Sequence, residues 1–351
     1  MDKAKREKFL KQLMGHVSGA ALSGMIYVGD QVGLFKAMAG AGGLTSAEVA
    51  TKAGLQERYV REWLSAMAAA GIVEYDAGSE RFTFPEEHAA LLADDNSPSF
   101  LGGLVQSTIV MLRAAPRVAE SFVHGGGVPF VEYGKEHVAA IDRGNRPQYQ
   151  FHLVKRWLPA MPDVVERLEA GAEAADIGCG SGYPSILMAQ AFPNSRFYGF
   201  DVSEESLDRA RTDAHSKGVA DRVEFQRVSA TELPETRKFA FISSFDAIHD
   251  MVDPRGALRG IRRALADDGV YMMVEPRSGD TLSENLNGQG ALMYSMSTLH
   301  CMTVSLAHGG EGIGTAIGQN KVQELADQAG FSRVRRLPIE HLAQAFYELR
   351  P

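Results

Sequence analysis

The sequence predicts an α/β protein in which a mostly helical amino-terminal part precedes a doubly wound, mainly parallel sheet of seven strands. Three observations carry this. After Gly171, apolar or aromatic runs alternate with helical patterns. The runs read as strands are "EAADIG", "SRFYGFD", "DRVEFQRV", "KFAFISSFD", "GVYMMVEP", "FSRVRRLP" and "AQAFYEL", and such alternation implies parallel strands joined by helical crossovers. The first strand runs into Gly178, Gly180 and Gly182, after which Pro184 opens a helix at its first turn, where a missing N–H costs little. Before Gly171 the pattern is helical, with a single hairpin signal.

At 351 residues with 45% hydrophobic content, the chain is long enough for more than one domain and an ample core. The boundaries expected are 1–95, a helical bridging segment 96–170, and 171–351. The first residues, "MDKAKREKFLKQL", are charged and helix-forming with no apolar leader core, and no stretch approaches a membrane span. Two cysteines are too few for a disulfide framework, so a reduced, cytoplasmic setting is expected. Cys179 lacks a flanking base to favour its thiolate, so it needs only to be small. A net charge of −8 is opposite to that of a nucleic-acid binder.

"AALSGMIYVGDQVGLFKAMA" is too apolar for a solvated helical face, which implies burial against a second subunit. From Leu44 to Phe84 the pattern is that of a winged helix. Thr45 or Ser46 caps a short helix carrying Glu48, and Gly54 makes the turn. Tyr59, Leu64, Met67 and Ala68 form the apolar stripe of the next helix, and "GIVEYDAGSERFTF" forms a hairpin with its tip at Asp76 to Ser79. In DNA-binding regulators the helix here spanning Glu57 to Gly71 enters the major groove. Here Arg58 and Arg61 alternate with Glu57 and Glu62, which suits packing better than phosphate contact. The bridging segment reads as helical with a break at "HGGGVPFVEYG" and a last helix through "QYQFHLVKRWLPAMPDVVERL".

The strand, glycine turn and helix around Asp176 make the sheet Rossmann-like and define a nucleotide site, because glycines let helix N–H groups approach a ligand closely. A dinucleotide fingerprint needs a glycine where Tyr183 stands, and Gly182 falls one place early. Asp176 at the strand's mouth would repel a pyrophosphate but attract the ammonium and sulfonium of S-adenosylmethionine, so that cofactor is predicted. Asp201, twenty-five residues on at the end of the second strand, stands where a ribose-binding carboxylate belongs. The competing reading of Asp201 is a helix cap, a role Ser203 can fill instead.

These motifs, with "FDAIHDMVDP", "LHCMTVSLAHGGEGIG" and "WLPAM", resemble class I S-adenosylmethionine-dependent methyltransferases with an amino-terminal winged-helix dimerisation domain. The resemblance covers nearly the whole chain, and plant-type O-methyltransferases are more distant relatives. It implies that Asp176, Gly178, Gly180 and Gly182 hold the methionine part and that Asp201 and Val202 meet ribose and adenine. Ser229, Ala230 and Thr231 are assigned to the adenine by position, although relatives often carry aspartate where Ser229 stands. Ser244, on the fourth strand, completes the cofactor set. His249 with Asp250 matches the general-base segment of the plant-type enzymes, with Met251 in place of their aromatic residue.

Methyl transfer needs an aligned nucleophile and removal of its proton, and a histidine with an ordinary pKa near 6.5 suits that transfer. Asp253 and Pro254 should start the following helix as N-cap and first residue. For the acceptor, Met293, Tyr294, Ser297 and His300 on one helix are candidates, with His152 and Trp157 on the bridging helix, while ordinary core packing is the competing reading. "AHGGEGIGTAIG" has the glycine content of a gate or of a plain connecting loop. Lys155, Arg156, Arg113 and Arg117 either bind an anionic acceptor or are solvated. No histidine and carboxylate group has metal-ligand spacing, so metal-independent transfer is expected. The activity expected is O-methylation of a small molecule by a homodimer. S- or N-methylation by proximity, or a winged-helix regulator sensing the cofactor on DNA, are the alternatives.

Overall fold

The computed structural model describes every residue except Glu235. The chain forms two compact units, Met1–Val110 with Ala139–Pro147, and Met111–Val138 with Gln148–Pro351. Residues 96–170, expected as a bridge, are thus shared between them.

In the first unit, a 29-residue helix Lys3–Gln31 leads into Leu34–Met38 and a winged-helix core. Thr45 and Glu48 form a reciprocal capping box at the start of the helix Ser46–Ala53, and Gly54 ends it with φ 68°. The next helix, Glu57–Ala69, buries Val60, Trp63, Leu64 and Met67. Tyr59, expected on that stripe, is 81% exposed. At 100° per residue the buried series starts at Val60, which turns Tyr59 away from the core. Arg58 pairs with Glu62 at 2.5 Å and Arg61 with Glu57 at 3.5 Å, so the helix's cations are matched by its own acids. Strands β1 (Glu74–Asp76) and β2 (Arg81–Thr83) form the hairpin, and Leu44 bridges to Phe82. In the long first helix every residue from Met1 to Ala21 is exposed, including the apolar row Phe9, Leu10, Leu13, Met14 and Val17.

The second unit contains the seven predicted strands: β3 (Glu173–Ile177), β4 (Arg196–Asp201), β5 (Val223–Arg227), β6 (Phe239–Phe245), β7 (Leu265–Pro276), β8 (Arg333–Arg336) and β9 (Gln344–Arg350). Their order is β5-β4-β3-β6-β7-β9-β8, with β9 antiparallel to both of its neighbours, β7 and β8. The order reverses between β3 and β6, the switch point beside which an open α/β sheet binds its ligand. One apolar layer packs Trp157, Ile186, Leu207 and Phe346 on one face, and Ile242, Leu258, Tyr271 and Leu325 fill the other. The last bridging helix is not continuous: Tyr149–Trp157 is a π-helical segment, a short 3-10 turn follows, and Pro162–Ala170 is α-helical.

Arg143 ties the first unit together. Its guanidinium reaches Asp30 at 2.5 and 2.8 Å and Asp95 at 2.5 and 2.9 Å and lies over the Phe100 ring. Asp30 is almost wholly buried. Arg143→Met should keep the packing but strand the Asp30 carboxylate, whereas Asp95 keeps Lys36, lowering stability by about 2 kcal/mol, less than for a fully buried pair because Arg143 is partly exposed. A drop in the urea midpoint of the first unfolding step measures it.

Candidate active site

β3 and β4 end side by side, and the loop Gly178–Gly182 between β3 and the helix Tyr183–Ala191 is built on three left-handed glycines, with φ of 69°, 52° and 70° at Gly178, Gly180 and Gly182. A Cβ on Gly182 would come within 2.4 Å of the Phe225 ring and one on Gly178 within 2.7 Å of Ala247, whereas at Gly180 the space is open. The turn therefore packs tightly beneath and leaves its backbone accessible above. Asp201 braces it: the Gly180 N–H donates to its Oδ2 and the Ser203 N–H to its Oδ1, each at 2.8 Å. Ser203, not Asp201, caps the helix Glu204–Ser216.

Asp176 is buried at the end of β3. Its Oδ1 accepts from Ser243 at 3.1 Å, and its Oδ2 has no hydrogen-bond partner among the described residues. Burial pushes its carboxyl up to about 7, and the charge of Asp201 adds to the rise. The Ser185 hydroxyl lies beside it and eases that shift without closing a well-formed hydrogen bond. A buried carboxylate with an unused oxygen suits a cationic ligand.

The remaining cofactor candidates divide. Val202 is exposed at the mouth of β4. Ser229 follows β5, and its hydroxyl caps the 3-10 turn of Ala230 and Thr231, accepting from the Thr231 N–H at 3.3 Å. Ala230 is buried against the second apolar layer. Ser244 requires a correction. It is fully buried and hydrogen-bonded to the Tyr271 hydroxyl at 2.6 Å, because alternation along β6 turns it to the face opposite Ser243. Ser243 is the serine that supports Asp176.

Directly after β6 comes Asp246, a non-glycine residue with φ 50°. His249 follows on a short 3-10 turn, and Asp253 caps the helix Pro254–Ala264 as expected. The imidazole is 3% exposed. Its Nδ1 is hydrogen-bonded to Glu275 at the end of β7, whose other oxygen accepts the Ile248 N–H at 2.9 Å. Nε2 lies 3.1 Å from Asp250.

Burial pulls this histidine down, but the carboxylates of Asp250 and Glu275 outweigh it and hold His249 well above its usual value. In this arrangement the two carboxylates favour the protonated ring, a bias that follows from the second of them, Glu275. Burial raises Asp250, yet the facing His249 prevails and takes it down to about 2. Asp246 accepts from Gln344 at 2.6 Å, and burial, reinforced by Glu275, pushes it up to about 7. Glu275 was missed in the sequence. Its signal was an acid closing the otherwise apolar run "VYMMVEP".

The expected acceptor helix is interrupted: Gly288–Met296 passes into a π-helical turn, Ser297–Cys301, and then Met302–Ala307. That turn directs His300 into a ring cluster with Tyr133 at 4.9 Å, His137 at 4.5 Å and Phe130 at 5.7 Å. Met293 is buried, and the Tyr294 hydroxyl accepts from Asn285. Ser297 accepts the Thr315 N–H, and the Gly312 N–H donates to the Ser305 hydroxyl, so the glycine-rich segment is tethered at these two points. His152 is half-buried. Trp157 is 1% exposed and packs on Phe346 at 4.9 Å, so it is core rather than pocket wall. Arg113 and Arg117 are engaged by Glu136 and Glu132, while Lys155 and Arg156 are exposed.

Comparison with known proteins assigns both parts. Residues 20–94 match the family described as the Rv2258c-like winged HTH domain, and residues 168–330 the one described as methyltransferase domain. The chain thus joins a winged helix-turn-helix domain to a methyltransferase domain. The 27-O-demethylrifamycin SV methyltransferase of Amycolatopsis mediterranei is 36% identical over 103 residues, 29% of this chain and 38% of that protein. The matched stretch is therefore well under half of that relative. The structure of the mitomycin 7-O-methyltransferase MmcR aligns over 100% of both chains with TM-score 0.73 and 18% identity. Human N-acetylserotonin methyltransferase, solved with SAM, aligns over 100% of this chain and 98% of its own with TM-score 0.67 and 16% identity. These two likenesses show a shared fold.

The residues present fit S-adenosylmethionine: the unused Asp176 oxygen suits its cationic methionine end, and the open backbone at Gly180 beside Asp201 suits its ribose. With a folded pKa above its unfolded value, Asp176 holds more protons in the native state, so it costs stability as pH rises from about 4 to about 7 and beyond. Asp176→Asn should therefore raise the thermal midpoint of the ligand-free protein at pH 8 by more than at pH 5.5. At least 2 °C is expected, roughly the effect of 1 kcal/mol in a domain of this size.

Proposed function

We propose that the protein is an S-adenosylmethionine-dependent methyltransferase that methylates a hydroxyl oxygen of a small molecule. The observation that carries this is the His249–Glu275 pair, buried on the same carboxyl edge of the sheet as Asp176 and Asp201. Bound there, the cofactor supplies an electrophilic methyl group. Asp176 holds its cationic end and Asp201 its ribose hydroxyls. Glu275 keeps the proton on Nδ1 and orients the ring, so that Nε2 is the atom that takes the acceptor's hydroxyl proton while the oxygen lone pair accepts the methyl group. Burial of the ring excludes water from that exchange.

Nε2 accepts a proton only after losing the one that Asp250 favours. Turnover should therefore rise with pH, with an inflection above 6.5, because the raised pKa keeps the inactive, protonated form at lower pH. A screen of phenols, thiols, amines and small acids with labelled cofactor tests the reaction. Transfer confined to hydroxyl acceptors is expected. His249→Gln should slow it by about 10²-fold or more and flatten the pH profile, with cofactor affinity kept. Transfer to thiols or amines alone, or an unchanged profile in the variant, contradicts the reading.

We further propose that the protein works as a cytoplasmic homodimer, supported by the exposed row Phe9, Leu10, Leu13, Met14 and Val17, which a monomer would leave in water. Among the described residues no helix is long and apolar enough to cross a membrane. Leu13→Asp with Val17→Asp should convert the dimer to monomer in analytical ultracentrifugation.

A further inference from the structure

The side chains on the open side of His249 form a second constellation. A ring nitrogen of His249, a carboxylate oxygen of Asp250 and the thiol of Cys301 all lie within 4.8 Å of one another, and Nε2 is the nitrogen 3.1 Å from Asp250. We propose that they form a binding site for a zinc-type divalent cation.

Four features support it. The donors are one imidazole, one carboxylate and one thiolate, a mixed set that suits zinc and disfavours magnesium or calcium, which take oxygen. Glu275 holds Nδ1 of His249, the outer-shell carboxylate that fixes a ligating histidine with Nε2 towards the metal. The Asp250 oxygen 3.1 Å from Nε2 is buried, yet it closes no well-formed hydrogen bond, as when two donors aim at a common point rather than at each other. Finally, Cys301 ends the π-helical turn Ser297–Cys301, a local irregularity of the kind found at functional sites. Beside it, His300 is 5% exposed with an Nε2 that has no hydrogen-bond partner among the described residues. Metal–ligand bonds of about 2.0–2.3 Å require only that the three side chains close inward.

On binding, the Cys301 thiol and the Nε2 of His249 each release a proton to solvent, and their lone pairs are donated to the cation. The nitrogen assigned above to proton transfer is then occupied, so the loaded protein should not methylate hydroxyls. That consequence rests on the O-methylation reading, whereas the site itself does not.

The test is zinc binding by the tag-free full chain, in competition with the chromophoric chelator 4-(2-pyridylazo)resorcinol. One ion per chain is expected, with affinity falling about tenfold or more in Cys301→Ala and in Asp250→Asn. Cobalt should give a thiolate-to-metal charge-transfer band that Cys301→Ser abolishes. Calorimetry with S-adenosylmethionine checks that each variant is folded, and Cys301→Ser decides should Cys301→Ala lose the cofactor. A wild-type chain that takes up no zinc, or variants that bind it as tightly as wild type, overturns the site. Because neither readout needs turnover, failure here is distinct from failure of the methyl-transfer assignment.

Discussion

Glu275 closes an apolar strand with a carboxylate that is 0% exposed, and that buried charge dictates what can stand around it. Out of water, each oxygen must be matched. One takes the Ile248 N–H and the other the His249 imidazole, which ties the loop after β6 to the end of β7 and sets which histidine nitrogen faces outward. Replacing the pair by apolar residues would give an easier core, so the acid serves the histidine rather than the fold.

The same logic recurs at the other end of the edge. Asp176, Asp246, Asp250 and Glu275 stand around the strand mouths, with the His249 imidazole held between two of them. Where β3 and β6 lie side by side, the acid on β3 is met only by serine hydroxyls, and burial keeps it near the point of protonation. Such a surface rewards a ligand that brings positive charge, which is the electrostatic reason an alkyl sulfonium fits better than a pyrophosphate. The glycine turn supplies shape and Asp201 braces it through the Gly180 and Ser203 N–H groups.

Local patterns made much of this legible. Seven strands, the Thr45–Glu48 cap, the left-handed Gly54 and the Asp253–Pro254 helix start all follow from short-range chemistry, and each stands where its residues indicated. Misreadings came where one residue of phase matters. Ser244 and Ser243 are neighbours in sequence but face opposite sides of the sheet, and Tyr59 and Val60 are neighbours that a 100° step along a helix puts on either side of the core boundary. Trp157 carries no local sign of whether it lines a pocket or fills a core, and Phe245 and Phe346 from distant segments, packed on it with Tyr149 of its own helix, settle that it fills a core.

By itself the sequence determined the fold class, the glycine turn and the acids that close β3 and β4, because backbone conformation and hydrophobic period are properties of contiguous residues. Only the tertiary structure decided the company of His249. Glu275 and Cys301 lie 26 and 52 residues away along the chain, and no local rule connects them to it. Parallel strands bring their ends to one edge and a π-helical turn swings Cys301 inward. The charge state of the ring and the donors around Nε2 therefore emerge from the packing of separate elements.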